Sequence, residues 1–491
     1  MNVFWFRRDL RIADNKALYE AAKCEKVAAI YVFDPKVMNQ QDFSNLHLDF
    51  IKDSLSSLNN SFSLFNSEIN LFNLPALDVF KYLVDNYNIE NVYSNHFIHN
   101  WFSLESDKSV QKFLNSKGIK WRLYKNNGVI NNLQSRDGWS LNWNKYMSES
   151  VIESPNLSNF QKLNKSCAIT DIREYSNNKI SYRKFYLGGE SLAKINLDEF
   201  LNSRGKEYAK NISSPLYAGK SCSRISPYLT YGNISIRQVV NATKKRQKEL
   251  RELKVRDGWL GSLSAFSSRL RWHCHFIQKL EMQPNLEFTN MVEAFDSIRS
   301  QNNYGYFEAW KSGQTGFPMV DACMRYLKFN GWINFRMRAM LVSFASYNLW
   351  LDWRITSKYL SRYFIDYEPG IHYNQFQMQS GVTGINAIRI YNPIKQQNDH
   401  DKNGDFVRKW CPELENIPKD YLEYPHLMSE SLQKKTGCII GKSYPRPLVD
   451  IKISTLKAKK EIFKIKSKRE TKKQAEIAYF KHGSRKSNRF K

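Results

Sequence analysis

Short apolar runs alternate with amphipathic stretches through the first 130 residues. Residues 3–6 and 27–33 are almost unbroken apolar runs, the pattern of strands covered on both faces of a parallel sheet. Residues 91–94 and 120–124 read as later strands of the same sheet, and 15–22 and 106–115 fit helices between them. Strands alternating with helices predict an open parallel α/β sheet, which binds ligands at the carboxyl ends of its strands. The loop Arg7–Arg11 leaves the first strand at that end.

From about 131 to 200 the chain is rich in Asn and Ser and weakly periodic. A run such as 154–159 reads as part of a long linker over the surface. Helical periodicity then dominates from 201 to 450, with long helices expected over 259–281 and 332–347. Turn chemistry separates the helices at 313–316, 368–370 and 401–404. The final segment, 451–491, is a basic tail holding fifteen Lys and Arg against three Glu. Its first half continues a helical pattern, and 482–491 reads as disordered. The tail is expected to be either a nonspecific DNA arm or a solubilising extension.

Composition sharpens this picture at two points. The net charge of +27 draws the chain to polyanions, nucleic acid foremost. The seven cysteines form no C-x-x-C pair, which argues against a zinc centre and for reduced thiols in a cytoplasmic protein. No apolar run reaches membrane-spanning length, and the N-terminus lacks the basic-then-apolar order of a secretory signal.

Separated motifs carry the chemistry. The string FWFRRDLR occupies 4–11, SCSRISPYL occupies 221–229, GQTGFPMVDACMR occupies 313–325, and GW at 331–332 and DWR at 352–354 follow. In this order they resemble the photolyase/cryptochrome family along nearly the whole chain to about 450. The resemblance implies an N-terminal α/β domain (1–130), an interdomain linker (131–200), an all-α FAD-binding domain (201–450) and the tail (451–491). It also implies FAD as cofactor, a possible folate or deazaflavin antenna near 96–107, DNA with ultraviolet lesions as partner, and a monomer.

By the same resemblance, Ser223, Arg224, Ile225 and Ser226 face the flavin pyrophosphate, as polar residues before a helix can. Cys222 replaces a common Thr there. Tyr208 and Phe266 match aromatics at the flavin. Arg338 and Asp366 match a salt bridge beside its ring, and Glu368 stands where Asp is frequent. His372 takes a position held by Asn in repair enzymes, and an imidazole there is expected to titrate near neutrality.

The relay of electron-donating tryptophans is incomplete. Trp353 matches its middle member, but the proximal position is Phe376 and the distal one Ser300. Trp350, Tyr373, Tyr391, Tyr304 and Tyr306 are candidates for another route. In the lesion pocket, Trp272 matches the tryptophan on which a flipped dimer stacks, Met378 replaces its aromatic partner, and Arg269 replaces a glutamate. Arg271, Arg336 and Gln396 are expected near the DNA backbone. The implied reaction is light-driven repair of cyclobutane pyrimidine dimers. The alternatives are a cryptochrome-type photoreceptor without repair, a (6-4) photolyase drawing on His273 or His275, and a DNA-binding protein with a relict flavin fold.

Overall fold

Five parallel strands lie in the order β3-β2-β1-β4-β5: β1 (Asn2–Phe6), β2 (Val27–Val32), β3 (Ile69–Phe72), β4 (Asn91–Asn95) and β5 (Lys120–Tyr124). The computed structural model describes residues 1–172 and 179–484. β1 is central and wholly buried, which accounts for its continuous apolar sequence. On one face Val3, Trp5, Ala28 and Ile30 pack against Val79, Phe80, Leu83, Val110 and Leu114 from the helices Ala76–Asn86 and Trp101–Ser116.

The strand β3 and the helix Asn45–Ser63 were not expected from the sequence. Asn70 interrupts the apolar run of β3, yet its amide donates to the carbonyls of Ala29 and Gln161, both at 3.0 Å. The segment expected as linker contains the helix Trp139–Ser148, and Val27 bridges to Phe160.

The loop after β1 joins the sheet to the helical part. Arg7 makes paired hydrogen bonds to Asp107 at 3.0 and 2.8 Å. Arg8 donates to the Tyr367 carbonyl at 3.1 Å, and Arg11 to that of Gly232, also at 3.1 Å. A Cβ on Gly232, whose φ is +71°, would sit 2.2 Å from the Arg8 carbonyl oxygen, so only glycine admits this approach.

The expected helix at 259–281 is present as Trp259–Met282. The one expected at 332–347 starts later, at Phe335, and runs to Ser343 before widening into a π-helical turn over Phe344–Asn348. The tail folds back as two helices, Ile451–Lys466 and Arg469–His482. Ala458, Ile462 and Ala478 are buried, and the Gln474 side chain accepts from the Ala294 amide at 3.0 Å. Tail residues 482–484 are therefore ordered against the body, in contrast to the expectation of disorder, and the rest of that expectation, 485–491, lies outside the described residues.

Candidate functional site

Two helices supply most of the site. Trp259–Met282 presents Phe266, Arg269, Arg271, Trp272, His275 and Lys279, and Pro369–Ser380 presents His372, Gln375, Phe376 and Met378. Glu368 precedes the second helix, whose Pro369 sits in the first turn, where its missing N–H costs nothing.

Arg338 and Asp366 form a bidentate pair with N–O distances of 2.9 and 3.0 Å. Asp366 also accepts from Ser226 Oγ at 2.6 Å. Ser226 is thus committed to the carboxylate, whereas the sequence reading aims it at a phosphate. The turn before it is pinned from behind, where Asn196 donates to the Ser223 carbonyl at 2.8 Å and Arg204 at 3.0 Å. Arg224 adopts φ +51°, and its buried Nε has no hydrogen-bond partner among the described residues. Burial pushes the Cys222 thiol up to about 12, so it acts as a small apolar group. Tyr208 and Phe266 meet edge-on at 6.0 Å, with Phe200 packed against both.

His372 is buried, and Nε2 lies 3.0 Å from the Ser357 carbonyl. A carbonyl only accepts, so Nε2 carries the hydrogen and Nδ1 is the ring's acceptor. Burial lowers its pKa to about 3. This corrects the expectation of titration near neutrality: desolvation outweighs the hydrogen bond and keeps the ring neutral. Phe376 packs on His372 with ring centres 4.5 Å apart. Beyond them Tyr367 donates to Asp42 at 2.6 Å, its hydroxyl lies 3.1 Å from that of Tyr373, and the Tyr373 ring lies 6.3 Å from Trp353. Trp353 Nε1 donates to Asn290 at 2.7 Å.

Arg338, Asp366, Glu368, His372, Gln375 and Phe376 border a cavity of about 80 Å³. Glu368 also borders a second, of about 30 Å³, with Thr230, Gly232 and His273. Burial pushes the Glu368 carboxyl up to about 7 against the opposing charge of Arg8. Next to the first cavity opens a cleft of about 1050 Å³ lined by Arg271, Trp272 and Met378. Cavity and cleft share Phe335, Gln375 and Gln379 as walls. Trp272 is 38% exposed, and the Arg269 guanidinium lies 4.3 Å from its ring centre. Arg336 lies over Tyr391, itself a lining residue, while Gln396 is buried and does not line the cleft.

Two family models match the chain: one described as "DNA photolyase" over residues 2–135, the other as "FAD binding domain of DNA photolyase" over 266–464. The chain belongs to the photolyase/cryptochrome family. It is similar to a deoxyribodipyrimidine photo-lyase of Buchnera aphidicola subsp. Acyrthosiphon pisum (strain APS), 27% identical over 477 residues, 91% of this chain and 94% of the relative. It is also similar to cryptochrome-2 of Arabidopsis thaliana, 28% identical over 500 residues, 91% of this chain and 76% of the relative. Among solved structures, a bacterial class III photolyase from Agrobacterium tumefaciens superposes with a TM-score of 0.82 at 25% identity, covering 95% of this chain and 98% of that one.

For a photolyase/cryptochrome FAD-binding domain, the donor set fits a flavin dinucleotide. Among the described residues, Glu368 Oε1, Arg224 Nε and both ring nitrogens of His273 are buried polar atoms without partners, the groups that a ribose, a pyrophosphate or a ring edge satisfies. The half-buried Gln375 stands on the wall that cavity and cleft share. Sequence reasoning does not single out Gln375, Gln379, Arg136 or Lys279, and it names Phe335 only as a lesion-pocket position that lacks the His of a (6-4) enzyme. Their common signal is helical spacing from Trp272 and His372, except for Phe335 and Arg136, which reach the site through tertiary folding alone.

Proposed function

We propose that this chain repairs cyclobutane pyrimidine dimers in DNA under blue light, with FAD as its resident cofactor. The observation that carries the reading is the shared wall: the cleft holding Trp272 and the cavity holding Arg338, Asp366 and His372 have Phe335, Gln375 and Gln379 in common. A base flipped into the cleft therefore lies one side chain away from the cofactor cavity. When bound and reduced, FAD supplies the electron that light drives onto the dimer.

The residues of the chain do the rest. Trp272 offers an exposed ring face for stacking. Arg271 and the excess of positive charge hold phosphates and give most of the affinity. The Arg338–Asp366 pair fixes a charge beside the cavity without reorganising. His372 holds its proton on Nε2 and presents an acceptor rather than an acid. The crevice at the carboxyl end of β1, bordered by Arg7, Tyr31, His99 and Asp107, is the proposed seat of an antenna chromophore. The fold carries no helix long and apolar enough to cross a membrane among the described residues.

Arg269 against Trp272, Met378 in the pocket and Phe376 beside His372 favour a second reading, a photoreceptor that holds flavin without repairing DNA. The (6-4) reading has less support, because His275 pairs with Arg136 and the ring nitrogens of His273 are buried. Blue-light repair of a thymine dimer in a short oligonucleotide, by chemically reduced protein without oxygen, tests the proposal. Recovery of intact thymines supports repair. Flavin-loaded, reduced protein that leaves the dimer untouched favours the photoreceptor.

A further inference from the structure

Tyr367 follows Asp366 in the loop that enters the helix Pro369–Ser380, and it borders the cofactor cavity. Its side chain is buried, and its hydroxyl donates to Asp42 at 2.6 Å. Asp42 is buried too, and it comes from the N-terminal domain. Asn100 donates to the same carboxylate oxygen at 3.0 Å and so fixes where that oxygen sits. The hydrogen of Tyr367 is committed to Asp42. The Tyr373 hydroxyl, 3.1 Å away, is therefore the donor to the Tyr367 oxygen, and Glu287 Oε1 lies 3.5 Å beyond Tyr373.

A phenol gives up an electron more readily when its proton can leave at the same time, and a carboxylate in hydrogen-bond contact is a base placed to take it. Burial, and after it the charge of Asp42, raises the Tyr367 pKa well above its ordinary value, so the phenol keeps its proton until an electron is removed. The nearby tryptophans are set differently. Trp353 donates to the amide oxygen of Asn290, which is no base, and the Arg354 guanidinium lies 5.0 Å from its ring centre, partly neutralised by Asp352 and Asp296. Trp350 has the Arg299 guanidinium 4.7 Å from its ring centre. A cation over an indole stabilises the neutral ring and opposes its radical cation.

We propose that Tyr367 donates the electron that light drives into an oxidised flavin, and that Asp42 is the base that takes its phenolic proton. This inference rests on the reading that FAD occupies the cavity beside Arg338 and Asp366. In the step, the O–H bond of Tyr367 breaks, one electron goes to the flavin, and the proton forms a new O–H bond on the Asp42 carboxylate. A neutral tyrosyl radical is left, with the Tyr373 hydroxyl as its hydrogen-bond donor. A thiolate as external reductant then returns one electron to Tyr367, and Asp42 returns the proton. The carboxylate of the N-terminal domain thus selects a tyrosine of the helical domain as donor over Trp353 and Trp350.

The test illuminates wild type, Asp42→Asn and Tyr367→Phe loaded with oxidised FAD and follows the radicals formed by flash absorption and electron paramagnetic resonance. Wild type is expected to form a neutral tyrosyl radical that Tyr367→Phe does not form. Formation is expected to slow in heavy water, and to slow by about a hundredfold in Asp42→Asn, whose amide accepts the hydrogen bond but not the proton. A tryptophan radical cation in place of the tyrosyl overturns the inference. So does a tyrosyl radical that persists in Tyr367→Phe, forms as fast in Asp42→Asn, or is indifferent to heavy water. Should a variant fail to hold FAD, the heavy-water comparison on wild type decides. Flavin absorbance of wild type tests the underlying reading separately. Protein that takes up no FAD overturns that reading and the inference with it, whereas flavin-loaded protein without a tyrosyl radical overturns the inference alone.

Discussion

The guanidinium of Arg269 lies 4.3 Å from the ring centre of Trp272, the ring that offers its face to the large cleft. Aromatic stacking of a base is worth roughly 2 kcal/mol, so Trp272→Ala is expected to remove most of the preference for dimer-containing DNA and to leave binding of intact duplex nearly unchanged. Arg269→Ala should weaken both by the same factor, because a phosphate contact carries no lesion information. Competition binding with the two duplexes measures this. Equal loss on both in Trp272→Ala would show that the ring is structural.

Asp366 accepts from Arg338 twice and from Ser226 once. Asp366→Asn leaves a largely buried guanidinium without its counter-charge, which costs on the order of 3 kcal/mol. The variant is expected to melt earlier and to purify with less flavin, read from the visible absorbance per protein. A variant with wild-type stability and flavin content contradicts the role given to the pair.

His372 has its pKa lowered from 6.5 to about 3 by burial. The unfolded chain therefore binds a proton that the folded chain refuses between these values, and stability falls as pH drops from about 6.5 toward 3. Replacing the imidazole by an amide removes this contribution. His372→Asn is expected to lose less melting temperature than wild type between pH 6.5 and 4. Parallel curves for the two proteins would show that the ring is not held neutral.

Phe376 lines the cofactor cavity and packs on His372 but is a poor electron donor, whereas Tyr367, Tyr373 and Trp353 form a chain of ring contacts that starts at the same cavity. Phe376→Trp is expected to speed light-driven reduction of the flavin in the presence of an external thiol. Tyr373→Phe should slow it in the wild-type background if the tyrosines serve in its place. Absorbance at 450 nm during illumination records both, and an unchanged rate in Phe376→Trp places the limiting step elsewhere.

β1 and β2 were legible from their nearly unbroken apolar runs, and β4 and β5 from short runs that hold aromatic residues. β3 was not, since Asn70 breaks its pattern and is satisfied only by carbonyls from β2 and from the segment near Gln161. The helix Asn45–Ser63 hides in a Ser- and Asn-rich sequence whose buried face appears only when Leu48, Phe50, Ile51 and Leu55 enter the core, Phe50 against Tyr228 and Tyr231. The tail looked like an arm because its charge dominates its composition. What holds it is a few buried residues and distant partners such as Gln474 with Ala294, which no local pattern announces. At the site, the Arg338–Asp366 pair was readable from the resemblance. The neutrality of His372 was not, because it follows from how deeply the ring is packed.

The central claim is that the cleft of Trp272 opens onto the cofactor. The most direct measurement is the excited-state lifetime of the reduced flavin with and without a dimer-containing oligonucleotide. The account predicts a shorter lifetime with the dimer, no change with the intact oligonucleotide, and loss of the effect in Trp272→Ala. A lifetime indifferent to a dimer that is demonstrably bound would contradict it.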